Sequence, residues 1–239
     1  MYRLLKRNEA KEYYSLYYPK ILSYWQKHGH EPRPLILSKL RVEDKKVLDI
    51  GCGNGLMLKD LVRKNEVYGI DISSDLLKQA EKIGIKISLF DFDRNGDFPF
   101  LEEYFDAILI FEALEHSFNP YLLLKKSIQV LKTGGVIYVT LPNITYPDRV
   151  KIIQKSLKNA LENVYKGKVP PNAKRFPDIN ILTLEQLRDL TQRLGLEIAE
   201  TNGWSWKWEE LETSEREYLW KNAKKAEDLL LTLRKSRKN

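Results

Sequence analysis

Residues 46–55, KVLDIGCGNG, decide how the rest of this chain is read. Val47, Leu48 and Ile50 form an apolar run too short for a helix, which predicts a buried strand. Asp49 breaks the run near its carboxyl end, and Gly51, Gly53 and Gly55 follow. Leu56, Met57, Leu58, Leu61 and Val62 then set up a helical period, so the expected unit is strand, glycine turn, helix. Such a unit aims backbone N–H groups, at the positive end of a helix, toward a polar ligand. Glycine suits the turn because it accepts left-handed dihedrals and lets a ligand approach with no Cβ in the way.

Working outward from that unit, strands and helices alternate. Residues 67–70 predict a second strand closed by Asp71, with Ser73 or Ser74 capping the helix that carries Leu76, Leu77 and Ala80. Residues 86–90 predict a third strand closed by Asp91, and residues 105–111 a fourth. Pro120 opens a helix running to residue 131, residues 132–135 turn, and residues 136–141 form a fifth strand ending at Pro142. Five strands so spaced predict an α/β fold: a Rossmann-like, doubly wound, mostly parallel sheet with helices on both faces. Ligands in such sheets sit past the carboxyl ends of the strands, where strand order reverses. A helical N-terminal lid is expected over residues 1–45, with tyrosines and Trp25 at helical spacing, and a helical insertion after strand 5 at about residues 144–180. Thr183 with Gln186 predicts a capping box, and Gly195 closes that helix. Trp204, Trp206 and Trp208 alternate as in a strand, and a charged helix is expected over about residues 210–239.

Composition narrows the class. At 239 residues with 43% hydrophobic and 31% charged side chains, the chain reads as one globular domain with additions. No apolar run approaches membrane-spanning length, and the first residues lack a secretory signal, so no membrane association and a cytoplasmic location are expected. Cys52 is the one cysteine, and with three scattered histidines it forms no metal set. The net charge of +7 raises a nucleic-acid reading. Residues 1–50 carry 11 basic against 6 acidic side chains, whereas residues 51–140 carry 10 against 13. The excess therefore lies outside the expected ligand-binding core, which disfavours nucleic acid without excluding it.

The carboxylates carry more information. Gly51, Gly53 and Gly55 form G-x-G-x-G, one residue tighter than the dinucleotide fingerprint. Asp71 lies just past the second strand, where an acid accepts hydrogen bonds from ribose hydroxyls. Asp91, past the third, is placed to accept from the exocyclic amine of an adenine. One nucleoside fits these positions.

VLDIGCGNG, GIDIS, DFD, FDAILIFEALEH and LKTGGVIYVTLPN, taken in order over residues 46–143, resemble the motifs of class I S-adenosylmethionine-dependent methyltransferases. The branch resembles the type 11 small-molecule enzymes, and FEALEH followed by NP is similar to the ubiquinone-type motif. FPDINILT is more loosely similar to MetW-like proteins. The resemblance implies S-adenosylmethionine as cofactor and S-adenosylhomocysteine as product. It implies that Asp49 and Gly51 hold the methionine amino group while Cys52, Gly53 and Gly55 line the turn, Cys52 as packing. Asp71 would bind the ribose, Ile72 and Phe92 would flank the adenine, Asp91 would take its amine, and Phe111 would lie near the sulfonium.

For the acceptor, the expected residues follow from topology. His116 and Glu112, or Glu115, are candidate bases just past the fourth strand. Tyr14, Tyr17, Trp25 and Trp204 would supply apolar walls, and Asn143, Tyr146 and Arg175 would orient the acceptor, Arg175 by charge. Three functions stay open: methylation of a small molecule, methylation of RNA or protein, and a noncatalytic MetW-like role. The resemblance implies an antiparallel hairpin of a sixth and a seventh strand, and either the tryptophan stretch supplies the seventh or the sheet is shortened.

Overall fold

In the computed structural model, the residues described are 36–152, 154–155, 180, 182–205, 207 and 210–235. The chain runs β1 (Lys46–Ile50), β2 (Glu66–Asp71), α1 (Ser74–Lys82), β3 (Lys86–Leu89), β4 (Phe105–Phe111), α2 (Pro120–Val130), β5 (Leu131–Pro142), α3 (Leu184–Arg193), β6 (Leu196–Trp204), α4 (Thr213–Lys221) and β7 (Asp228–Lys235). These strands form one sheet in the order β3-β2-β1-β4-β5-β7-β6. The five strands from β3 to β5 pair in parallel, and β7 lies antiparallel between β5 and β6. Strand order reverses between β1 and β4, which pair directly, so the carboxyl end of β1 is the switch point where such sheets bind ligands.

Alternation along each strand builds two cores. Leu48, Ile50, Ile108, Ile110, Ile137 and Val139 face one side and pack with Leu123 and Leu124 of α2 and Leu187 of α3. Val47, Val67, Ala107 and Leu109 face the other side, against Ile36, Leu58, Leu77 and Ala80. Sheet-in-the-middle architecture follows, because strands covered on both faces must be apolar at nearly every position. Two helix starts are fixed by side chains, whereas Ser73 stands at the N-cap of α1 without the side-chain cap bond expected of it among the described residues. Thr183 and Gln186 form a reciprocal capping box at α3, and Asn119 caps α2 by accepting from Leu122 N–H.

Three expectations change. The helix expected after the glycine turn is replaced by two short 3-10 turns, Leu56–Leu58 and Leu61–Arg63. Leu56, Met57 and Leu58 are consecutive and cannot share one helical face, and Leu56 is left 45% exposed. The fifth strand extends back through the expected turn to Leu131, with an irregularity in its pairing between Phe105 and Ala107. The C-terminal helix is confined to α4, and residues 228–235 are instead the seventh strand. Trp204 ends β6, while Trp206 and Trp208 lie outside the described residues, as do residues 1–35 of the expected lid and most of the expected insertion. Among the described residues no helix is long and apolar enough to cross a membrane, and no cluster of metal ligands occurs.

Candidate functional site

Gly51, Gly53 and Gly55 all take left-handed dihedrals, with φ of 78°, 55° and 69°. A side chain at Gly55 would also put its Cβ 2.4 Å from Ile85 Cδ1, so the turn is closed by packing as well as by backbone preference. Its amides are not the free row expected. Gly51 and Cys52 donate to the Ile70 carbonyl at 2.8 and 3.1 Å, and Gly55 donates to the Cys52 carbonyl at 3.0 Å. Gly53 donates to Asp71 Oδ2 at 2.9 Å. A turn whose N–H groups already have acceptors makes a poor cradle for phosphate, and no helix of useful length stands behind it.

The acceptors at this end of the sheet are carboxylates. Asp49 is fully buried in β1 between Gly69 of β2 and Leu109 of β4. Asp71 accepts from Gly53 through one oxygen and from Ser73 N–H at 2.8 Å through the other. An ionised carboxylate offers about four acceptor positions, so two backbone bonds leave capacity for ligand hydroxyls. Burial raises the Asp71 pKa above the usual carboxylate value. Asp91 is half-buried past β3 and accepts from Asp93 N–H at 3.0 Å. Ile72 and Phe92, expected beside the base, are half-buried next to these acids. Cys52 is buried, and a Cβ on Gly69 would lie 2.6 Å from its sulfur. Burial pushes its thiol well above the ordinary range, with the Asp71 and Asp49 carboxylates adding to the shift. These are the surroundings of a packing thiol.

Past β4 the chain is strained and tightly held. Glu112 has φ of 51°, a left-handed conformation unusual for glutamate, and its N–H donates to Thr140 Oγ1 at 3.0 Å. Its Oε1 is buried with no hydrogen-bond partner among the described residues. Glu115 is buried and His116 half-buried in the following turn. Ala113 meets the glycine turn, since a Cβ on Gly51 would lie 3.1 Å from its own. Phe111, expected at the sulfonium, has its side chain in the core beneath the site.

Asn143 has a different task from the one expected. Its Nδ2 donates to the Ala226 and Ala223 carbonyls at 2.8 and 3.2 Å, and its Oδ1 accepts from Thr145. The Nδ2 end thereby clips the end of β5 to the approach to β7 and the Oδ1 end holds the turn that follows β5, because a buried amide must find partners in the fold. Tyr146 is half-buried just beyond. Trp204, expected as an apolar wall for the acceptor, is instead fully buried in the core. Tyr14, Tyr17, Trp25 and Arg175 lie outside the described residues.

Several polar residues here were not singled out in the sequence. Asp93 accepts from Ser117 Oγ at 2.6 Å and from Phe118 N–H at 3.0 Å, tying the turn after β3 to the loop after β4. Lys126 donates from within α2 to the carbonyls of Phe92 and Arg94. Asn180 donates its N–H to the Glu115 carbonyl at 2.9 Å and its amide to the Ser117 carbonyl. Arg149 and Asp228 form a buried ion pair of 2.5 Å. Lys126 was legible in principle: it lies three residues after Leu123 and four before Val130, on the face of α2 that enters the core.

Carboxylates at three successive strand ends, beside a turn whose amides are engaged, accept hydrogen bonds and offer few. That surface suits a ligand rich in donors, such as an ammonium group, ribose hydroxyls and an amine, and does not suit a pyrophosphate. The model of the family described as methyltransferase domain matches residues 24–201. The chain belongs to this S-adenosylmethionine-dependent methyltransferase family. It is 30% identical over 148 residues to an uncharacterised protein of Methanocaldococcus jannaschii, covering 62% of each chain. A ubiquinone biosynthesis O-methyltransferase of Pasteurella multocida is 32% identical over 147 residues, covering 52% of this chain and 61% of that one. The methyltransferase chain thus spans less than two thirds of these curated relatives. Its fold matches that of a Thermotoga maritima S-adenosylmethionine-dependent methyltransferase, a possible histamine N-methyltransferase. The TM-score is 0.69 at 16% identity, over 95% of this chain and 100% of the other.

Proposed function

We propose that this methyltransferase moves a methyl group from S-adenosylmethionine to a hydroxyl of a small-molecule acceptor. The observation that carries the reading is the line of Asp49, Asp71 and Asp91 at consecutive strand ends around the left-handed glycine turn. Asp49 would hold the ammonium of the cofactor, Asp71 its ribose hydroxyls and Asp91 its adenine amine. Cys52, Gly53 and Gly55 would leave room for the nucleoside. The similarity to a ubiquinone biosynthesis O-methyltransferase supports an oxygen acceptor of low molecular weight.

The cofactor supplies a methyl group on a sulfonium, which is displaced in line with a neutral sulfide as leaving group. The chain's contribution is then orientation of the acceptor and removal of its proton. His116 is the proposed base, because its imidazole lies half-buried in the turn just past β4 and an imidazole can accept a hydroxyl proton. Glu112 is held in a left-handed conformation at the head of that turn and would orient the acceptor or the imidazole.

The test is formation of S-adenosylhomocysteine with a panel of hydroxylated aromatic and polyprenyl-type acceptors. Turnover with at least one, and its loss on the order of 100-fold in His116→Ala with cofactor binding unchanged, is the expected result. Turnover only with RNA or a protein would overturn the small-molecule assignment. Cofactor binding with no turnover on any class would favour a noncatalytic role.

A further inference from the structure

The turn after β3 is gripped by two charged side chains that the reaction above does not use. Lys126 is 2% exposed in the middle of α2, and its Nζ donates to the Phe92 carbonyl at 3.0 Å and to the Arg94 carbonyl. The same ammonium lies 5.5 Å from the Phe90 ring and 5.8 Å from the Phe98 ring. Between those carbonyls, Asp93 reaches the other way. Its carboxylate accepts from Ser117 Oγ at 2.6 Å, Phe118 N–H at 3.0 Å and Asn119 N–H at 3.4 Å. Backbone and side chain of one short turn are therefore both fastened to α2 and its approach.

That grip reaches Asp91 directly. Asp93 N–H donates to Asp91 Oδ1 at 3.0 Å, and Arg94 N–H donates to the Asp91 carbonyl at 3.0 Å. Fixing residues 92–94 thus fixes the Asp91 carboxylate. Stabilising the loop is a weak reason for a lysine here, since desolvating an ammonium is unfavourable and an apolar chain would pack against Phe90 and Phe98 as well. What an apolar chain cannot do is hold two carbonyls at set positions.

We propose that Lys126 and Asp93 are positioning residues that set Asp91 against the exocyclic amine of the adenine, and so determine selection of adenine over a base bearing oxygen there. The proposal rests on the cofactor placement given above.

Calorimetric titration of the full chain with S-adenosylhomocysteine and with S-inosylhomocysteine tests it. In the second ligand a carbonyl oxygen replaces the amine and would face the Asp91 carboxylate. The unaltered protein is expected to favour the adenosine compound by roughly tenfold or more. Lys126→Met and Asp93→Asn are each expected to weaken the adenosine compound about tenfold and the inosine compound by less than about twofold, so that selection collapses. Lys126→Arg, which keeps donors for both carbonyls, recovers part of it. Asp71→Ala weakens both ligands alike and keeps the ratio.

A general loosening of the site would also weaken both ligands alike, and that outcome in Lys126→Met or Asp93→Asn overturns the proposal. If Lys126→Met fails to melt cooperatively, Asp93→Asn and Ser117→Ala carry the same comparison. An unaltered protein that binds both compounds equally also overturns it. One that binds neither refutes the cofactor placement itself.

Discussion

Gly55→Ala separates the two reasons for glycine in the turn. At φ of +69°, a Cβ meets the steric penalty of the left-handed region, about 1–2 kcal/mol. It also lands 2.4 Å from Ile85 Cδ1 and 3.1 Å from Ile83 Cδ1. Ile85 is 2% exposed, so its methyl must move into packed neighbours, an overpacking cost of about 1–3 kcal/mol. The sum is about 2–5 kcal/mol. For 239 residues the unfolding entropy is about 0.5 kcal/mol per kelvin, so Tm should fall by about 4–10 °C. Gly134→Ala is the matched control: its φ is +79° with nothing within 4 Å of the added Cβ. It should lose about 2–4 °C from the dihedral alone. Differential scanning calorimetry of both variants gives the comparison. Equal losses would refute the argument that Ile85 seals the turn, and no loss in either would refute the left-handed geometry.

Other outcomes follow from the same geometry. Asp228→Ala leaves the Arg149 guanidinium buried without its 2.5 Å partner and should cost about 3–5 kcal/mol in urea unfolding, whereas Arg149→Met with Asp228→Leu should recover most of it. Because burial raises the Asp71 pKa, the proton returns at a higher pH than for an ordinary aspartate, and S-adenosylhomocysteine affinity should fall as pH drops through the raised pKa. Asp71→Asn should bind more weakly and lose this pH dependence in calorimetric titrations. The folding contribution has the opposite sign: stabilisation by the protonated acid is full below the unfolded pKa and is lost as pH rises through the folded one. Cys52, buried with a raised pKa, should resist a thiol-disulfide reagent at pH 8 in the native protein and react at once after unfolding in guanidinium.

Much of the sheet was legible because its central strands declare themselves. Residues 105–111, FDAILIF, are apolar at nearly every position, as a strand covered on both faces must be. The acids at the ends of β1 and β2 were legible because each interrupts or closes such a run. Residues 228–235, DLLLTLRK, obey the same logic, since β7 lies between β5 and β6, yet they suggest a helix. Leucine is a strong helix former, Thr232 is the only β-branched residue in the run, and basic residues follow it. Their strand state is imposed by pairing with β5 and β6, which no local window contains. Asn143 misled for a related reason. A polar residue at a strand end looks available to a ligand, but its amide completes contacts with residues 223 and 226, some 80 positions away. The clamp of Lys126 and Asp93 likewise joins segments distant in sequence.

The central claim is that the acids past β1, β2 and β3 hold S-adenosylmethionine. Calorimetric titration of S-adenosylhomocysteine into the unaltered chain and into Asp71→Ala addresses it most directly, with melting curves showing that both are folded. The account predicts one site of micromolar affinity, weakened on the order of 100-fold in Asp71→Ala by loss of two charge-assisted hydrogen bonds to the ribose, and no uptake of NADH. Binding of NADH in place of S-adenosylhomocysteine, or affinity unchanged in a folded Asp71→Ala, would contradict it.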